Sequence, residues 1–474
     1  MDSTTLTTNG DCVRPERSEA KSNGYERSAS YRSDQKLGQE LVREISARKN
    51  EPSWMLDFRL AGLDCFFKKP MPSWGPSLEK LDINDICYYL KSVDKPFDTW
   101  AHVPKEIKET FDKLGVPEAE KSFLAGLGAQ YESEMVYHNL KKEWEDQGVL
   151  FLDTDTALQK HPDLVKQYFA SVVPVDDNKF ASLNTAVWSG GSFIYVPPCV
   201  NIDIPLQAHF QINQAKMGQF ERTLIIADEG SIVTYVEGCT APYYTSTSLH
   251  SAVVEIIAKK GAQVRYMTIQ NWSKNVYNLV TKRAFAFQDS CVEWIDGNLG
   301  SGITMKYPAV ILKETGAKTN ILSIALASSD QQIQDSGGKV IHQAPGTNSH
   351  IVSKSISSCG GQTTYRGMVK VEKQAHGCKS YVQCDSLILD QQSRADAYPY
   401  IESQQSDVAV AHEATVSKIN DEQVFYLMSR GLDKNAARLL VVNGFIEPFV
   451  TQLPMEFAIE MNRLVQLEME KSHE

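Results

Sequence analysis

Cys384, His412 and Glu413 carry a thiol, an imidazole and a carboxylate, the three side-chain donors that protein-bound iron accepts, with cluster iron taking thiolate first. Cys384 and His412 lie 28 residues apart. A second cysteine, Cys239 in TYVEGCTAP, follows a glycine and precedes a proline-containing turn. That context predicts an exposed strand-end thiol able to accept sulfur from a donor, with nearby Lys282 lowering its pKa or guiding an anionic sulfur species. Each residue also has a plainer role: strand cysteines are commonly small buried hydrophobes, histidines ordinary hydrogen-bonded side chains, and lysines solvated surface charges. His376, Cys378 and Cys384 share strand parity and offer a zinc alternative. It is the weaker one, because structural zinc sites show closer ligand pairs.

These spacings matter only if the fold converts them into proximity. From about Lys179 the chain turns to short β-branched runs broken by Gly, Ser, Asn or Asp, the texture of strands and turns. Equivalent turn positions fall at Gly230, Gly261, Ser290, Gly316, Gly346, Gly377 and Ser406, with successive spacings of 31, 29, 26, 30, 31 and 29 residues. A strand-built unit of constant length predicts a stacked solenoid, best a parallel β-helix; propeller blades need a longer unit and sandwiches show no such period. Residues one period apart then stand about 4.8 Å apart along the axis. Cys384 and His412 come onto neighbouring rungs, and so do Cys239 and Gln270. Adjacent strand residues face opposite sides, so His412 and Glu413 can ligate together only at a bulge, a turn or a subunit edge.

The flanks read differently. Residues 1–34 are poor in large apolar side chains and are expected to stay disordered; Asp2, Asp11, Glu16, Glu19 and Glu26 count against a transit peptide. A helical and mixed region is expected over 35–178, with Leu37, Leu41 and Ile45 at helical spacing and a helix over Glu132–Gln147 that ends at Gly148. The β-helix is assigned to 179–419. Residues 420–474 read as helices, with Asp433 as an N-cap, Gly444 as a stop and Pro454 opening a last amphipathic helix.

Composition removes whole classes. A formal net charge of −11 over 474 residues with no basic stripe argues against a nucleic-acid partner. No apolar run reaches the length of a membrane span and no secretory signal is visible, so no membrane role is expected and the location is read as cytoplasmic. Nine scattered cysteines without a CxxC pair do not form a disulfide framework. The Gly-Gly pairs at Gly190, Gly337 and Gly360 lack the Lys-Ser/Thr of a phosphate loop, and no nucleophile elbow, HExxH or dinucleotide fingerprint occurs.

Several ordered motifs, QCDSLIL at 383–389, AHEATVSKI at 411–419, TYVEGCTAP, IQNWS and VNGF, resemble the SufB family of the SUF assembly system. The resemblance runs from about Gln35 to the C-terminus and is strongest between Leu183 and Pro454. It implies a mainly β protein, a right-handed parallel β-helix flanked by helical regions. The implied activity is a scaffold rather than an enzyme: it accepts persulfide sulfur and iron, holds a transient iron–sulfur cluster, expected as 4Fe–4S, and passes it to apo-proteins. Implied partners are a SufC-type ATPase docked on the C-terminal helices, a SufD-type paralogue or a second copy of the chain, and a cysteine desulfurase with its sulfur carrier. Reduced flavin is a candidate reductant. By resemblance, Cys384 is the principal cluster ligand with His412 and Glu413 beside it, and Cys239 is the sulfur acceptor. Asn213, Gln270, Trp272 and Lys282 match positions along the sulfur route. The family builds its cluster at the subunit interface, which would relieve the parity problem at His412 and Glu413. Two departures stand out: Ala411 replaces a Glu and Gln211 an Arg found in some relatives. The rivals are a SufD-type structural subunit without a cluster and a β-helix carbohydrate-active enzyme. The latter is expected to carry an export signal and clustered acidic calcium ligands, and neither is seen.

Overall fold

The computed structural model describes residues 31–91, 126–212, 216–241 and 246–471. Most of the segment 1–34, and Asn213, lie outside them. The core is a parallel β-helix. Its long sheet stacks Leu206–Gln211, Ile232–Thr240, Gln263–Asn271, Cys291–Asn298, Lys318–Ala327, Asn348–Ser357, Cys378–Ile388 and Val408–Lys418, each parallel to the next. The opposing sheet stacks Arg222–Ala227, Val253–Ala258 and Val276–Ala286, then shorter pieces, and ends in Gln362–Val371 and Arg394–Ser403.

The repeat follows from its turns. Gly230, Gly261, Gly316, Gly346 and Gly377 all have φ between 64° and 75°, a left-handed conformation that costs glycine nothing and other residues about 1 kcal/mol or more. Near Ser290 that conformation is taken by Asp289 at φ 56°, one of the residue types that tolerates it.

Alternation along each strand sends one face inward to a shared apolar interior containing Val233, Tyr235, Tyr266, Trp294, Ile321, Ile351 and Val382. The other face of the long sheet, with Val236, Ile269, Ile295, Ile324 and Leu387, is covered by the helices Lys434–Val450 and Met455–Lys471 through Val442, Ile446, Phe449, Phe457, Met461 and Val465. Burying each of these large side chains stabilises by about 1.5–3 kcal/mol. Helices Gln39–Arg48, Ser53–Lys68 and Lys179–Val187 pack on the opposing sheet.

Two local expectations are corrected. No helix spans Glu132–Gln147: Gly126–Tyr131 and Glu134–Leu140 form an antiparallel hairpin that adds to the end of the long sheet, leaving only Lys142–Glu145 helical. The ladder offered by Leu206–Gln211 overrides the helical spacing. Gly444 does not stop its helix, which runs on to Val450 because Ile446 and Phe449 are both fully buried against the sheet. Asp433 does cap that helix, accepting from Ala436 N at 2.9 Å. In the first segment, Tyr31–Arg32 pairs antiparallel with Leu90–Lys91.

Candidate functional site

Strand register turns the interior into columns. One column of the long sheet reads Glu237, Thr268, Asp296, Ser323, Ser353, Cys384 and Ala414, each directly paired with the next. The column beside it reads Cys239, Gln270, Asn298, Ala325, Ser355, Ser386 and Val416. The opposing sheet faces them with His250, Asn278, Thr304 and Gln334, and with Lys306, Ser336 and Tyr365. Polar side chains therefore line the axis between two cysteines. Glu237 and Cys384 are separated by five rungs of about 4.8 Å, roughly 24 Å in all.

At the far end, Cys384 Sγ lies 3.8 Å from His412 Nε2. The expected neighbouring-rung contact exists, though on a diagonal: Cys384 pairs with Ala414 and His412 with Val382. Burial, with Asp385 adding to it, pushes the Cys384 thiol up to about 11, so a metal here must displace the thiol proton. Glu413 does not join them. Its carboxylate is on the outer face and accepts from the Tyr381 hydroxyl at 3.1 Å, while only its backbone carbonyl accepts from Cys384 Sγ, at 3.6 Å. Strand parity causes this separation. Among the described residues no three His, Cys, Asp or Glu side chains gather as a metal site, so the chain brings two donors to the pair. The zinc alternative is not formed: Cys378 Sγ turns inward to Thr347 Oγ1 at 3.1 Å, and His376 is exposed beside Gln405.

Tyr365 was not singled out from the sequence. Its hydroxyl is buried without a partner; burial raises its pKa and the Cys384 thiol adds to the rise, which puts the two groups within electrostatic reach across the interior. Only the three-dimensional closure of the two sheets brings them together.

At the near end, Cys239 is fully buried, not exposed. Strand Ile232–Thr240 runs beneath the next rung, and Cys239 pairs directly with Gln270, as its spacing suggested. Its Sγ donates to Glu237 Oε1 at 3.5 Å. Burial, reinforced by Glu237 and Glu221, pushes the thiol well above its ordinary range, and the opposing pull of Lys282 is smaller. The expected depression of this thiol is therefore reversed in the resting chain. Glu237, also absent from the sequence reading, accepts from Tyr266 at 2.5 Å, and burial raises its own pKa. It can take the proton that Cys239 must lose to react.

Around this pair the polar groups interlock. His250 hydrogen-bonds Glu221 on one side and Asn278 at 2.7 Å on the other; Asn278 donates to Gln270 Oε1 at 2.7 Å. Trp272 packs 4.6 Å from His250, and Gly300 admits its backbone, since a Cβ there would sit 1.8 Å from the Trp272 carbonyl. Lys282 and Lys306 both donate to Asp296 Oδ1, at 3.0 and 3.2 Å. Gln211 is buried with its carbonyl oxygen unpartnered, and Ala411 lies exposed on the last strand.

That last strand of the long sheet, Val408–Lys418, has no further neighbour among the described residues, and Arg394–Ser403 ends the opposing sheet in the same way. Tyr398, Tyr400, Ile401 and Val416 are exposed there. No described helix is long and apolar enough to cross a membrane.

The family model described as SUF system FeS cluster assembly, SufBD core domain, matches residues 210–445, and that of the SufBD protein N-terminal region matches residues 104–208. The chain is 59% identical over 442 residues to an iron-sulfur cluster assembly SufBD family protein of Staphylococcus aureus strain USA300, covering 93% of this chain and 95% of the relative. The same figures hold for a SufBD family protein of Staphylococcus haemolyticus strain JCSC1435.

Proposed function

The chain belongs to the SufBD family of iron–sulfur cluster assembly proteins, and from that premise we propose that it is the SufB-type member, the scaffold on which the cluster is built. The observation that carries this reading is the Cys384–His412 contact at 3.8 Å, reached from Cys239 by a continuous polar interior. Sulfur enters at Cys239: the donor's S–S bond breaks, a new S–S bond forms at Sγ, the donor leaves as thiolate and Glu237 takes the Cys239 proton. Two-electron reduction of the Cys239 persulfide then breaks that S–S bond, restores the thiol and frees hydrosulfide, which passes along the Thr268–Ser353 column to Cys384, with Gln270, Trp272 and Lys282 along the way. There it meets iron held by Cys384 and His412. Each sulfane sulfur needs two electrons to become sulfide, for which reduced flavin is the candidate donor.

Two donors do not complete a cluster's ligand set. The open edge at Val408–Lys418 supplies the place for more, through a SufD-type subunit or a second copy, and Glu413, outward and exposed, is positioned to serve across that edge. The helices from Asp421 onward expose Phe425, Tyr426, Leu440 and Ile459 and suit the SufC-type ATPase. A desulfurase with its carrier, apo-protein acceptors and a cytoplasmic setting complete the reading. The two-donor count also favours a second reading, a SufD-like structural subunit that holds no cluster.

Anaerobic reconstitution with iron and sulfide separates them. On the scaffold reading the chain with its partners shows sulfide-to-iron absorption and bound iron, and Cys384→Ala loses at least tenfold of both. A colourless, iron-free complex assigns the chain to the structural role.

A further inference from the structure

Outside the solenoid interior, the outer face of the opposing sheet carries a cavity of about 470 Å³. Strand Val276–Ala286 walls it off from the interior: Thr281 and Arg283 line the cavity, while Lys282 between them sends its ammonium inward to Asp296. The other wall is the strap of residues 69–74, which leaves the end of helix Ser53–Lys68. Pro70 and Pro72 fix two backbone angles of this strap. Gly75 lets it lie on the sheet, since a Cβ there would sit 2.7 Å from the Met305 methyl. The cavity is therefore formed before any ligand arrives, and its size falls within the roughly 300–1,000 Å³ of small-molecule sites.

Two features of the lining have no internal use. Trp74 leaves 53% of its surface exposed and touches Tyr307 only at a tilt, with ring centroids 5.4 Å apart. Lys339, half-buried, stands 4.6 Å over the Tyr307 ring and makes no hydrogen bond or ion pair with any described residue. The carboxylates in its field are already held, Asp177 by Arg283 and Asp335 by Arg366 and Tyr307. Burial, helped by Arg283 and Arg366, lowers the Lys339 pKa against the pull of both acids. Lys179, also in the lining, donates to the Phe66 and Lys69 carbonyls at 2.7 and 2.6 Å, which leaves one ammonium proton over. Those carbonyls close a helix C-terminus and offset part of its charge; Lys339 has no such partner. Four cations, Lys179, Arg283, Lys339 and Arg366, thus face two carboxylates beside an open aromatic ring.

We propose that this cavity binds a mononucleotide, its phosphate monoester held by Lys339 and Lys179 and its base stacked on Trp74. A phosphate monoester carries about −1.5 to −2 charges at pH 7, which matches the surplus, and stacking on an aromatic side chain accepts any base. The net charge of −11 repels a polynucleotide, so the ligand is a single nucleotide rather than a strand. Binding proceeds without hydrolysis: Asp177 is occupied by Arg283 and Asn178, and no Gly-rich phosphate loop is present. The site goes beyond the scaffold reading and holds for either SufBD role, so it stands or falls apart from the Cys384→Ala reconstitution.

Calorimetric titration of the full chain in chloride buffer, without divalent metal, tests it with AMP, UMP, adenosine and inorganic phosphate. AMP is expected to saturate one site per chain, at least tenfold more tightly than adenosine or phosphate. Lys339→Met should weaken AMP at least tenfold and leave adenosine within twofold, whereas Trp74→Leu should weaken AMP and adenosine alike and leave phosphate within twofold. Trp74 is exposed, so its variant keeps the test open should Lys339→Met misfold. Equal affinity for UMP supports a site for any base, and a preference for AMP supports a purine site. Failure of either nucleotide to saturate at millimolar concentration overturns the proposal, as does an affinity that neither variant moves. Phosphate binding as tightly as AMP also overturns it, leaving an anion site without a base. So does a Lys339→Met loss shared equally by adenosine, which would make the lysine a prop for the Tyr307 ring.

Discussion

The two ends of the solenoid interior are built on opposite principles. The near rungs, around Cys239, gather ionisable groups in the dry core: Glu221, Glu237, His250, Lys282, Asp296 and Lys306, all 2% exposed or less. The far rungs replace them with small hydroxyls, Ser323 to Ser353 at 3.0 Å and Ser349 to Ser380 at 2.8 Å, and end at Cys384 and His412 beneath an open edge. On the scaffold reading, charge in a closed interior suits the transfer of the Cys239 proton to Glu237 that persulfide formation requires. Neutral groups beside an unpaired edge suit a metal that must arrive, recruit further ligands and leave.

The sharpest way to break this division is to exchange the insults. With free iron and sulfide supplied, Cys239→Ala should load within twofold of the parent, while Cys384→Ala loses at least tenfold; with sulfur supplied only as a persulfide donor, both should fail. Equal loss in the free-sulfide experiment would mean that the two ends form one site. Stability should separate them next. Asp296→Ala strands two buried ammonium groups and should cost about 3–5 kcal/mol in denaturant unfolding. Ser353→Ala removes one neutral hydrogen bond and should cost about 1 kcal/mol.

Proton linkage separates the two ends by pH window, with the same sign in each. Burial holds His342, hydrogen-bonded to Thr347 and Ser349, down from 6.5 to about 4. Between those values the unfolded chain binds a proton that the folded chain refuses, so stability falls as pH drops from about 6.5 to 4, by up to about 3 kcal/mol. Lys306 is lowered from 10.5 to about 8, chiefly by burial and also by Lys282, against the pull of Asp296 and Cys239. Here the unfolded chain holds the extra proton between about 8 and 10.5, so stability rises with pH across that window. His342→Gln should reduce the slope of the acid limb, to which His138 and His209, both held by burial at about 4, contribute in the same sense, and Lys306→Met should reduce the slope of the alkaline limb, each leaving the other limb unchanged.

Much of this was legible in the sequence because a solenoid writes its axial contacts as a period. The turn glycines set the rungs, and the 31-residue spacing of Cys239 and Gln270 became a direct pair. The 28-residue spacing of Cys384 and His412, slightly short of a rung, became a diagonal contact. What a period cannot express is contact across the interior. Asp296 meets Lys282 and Lys306, and Tyr365 approaches Cys384, only because two sheets close on each other. Nor does a local motif report burial: TYVEGCTAP reads as an exposed strand end, yet another rung and the opposing sheet cover Cys239.

The smallest expected effect tests the parity of the last strand. Glu413 projects from the outer face, on the side away from Cys384 Sγ, and an extended strand cannot present neighbouring residues to one metal. Glu413→Gln should therefore leave iron binding by the isolated chain within twofold, while His412→Gln, altering the inward residue, weakens it severalfold. The same Glu413→Gln change made in the complex with its partner subunit should reduce loading, because the carboxylate is then read across the edge. A loss already present in the isolated chain would require Val408–Lys418 to bulge or two copies to pair through it. Gel filtration at the concentration of the binding measurement distinguishes those cases: a dimer places the carboxylate in trans, whereas a monomer with the same loss shows that the strand has left its regular register.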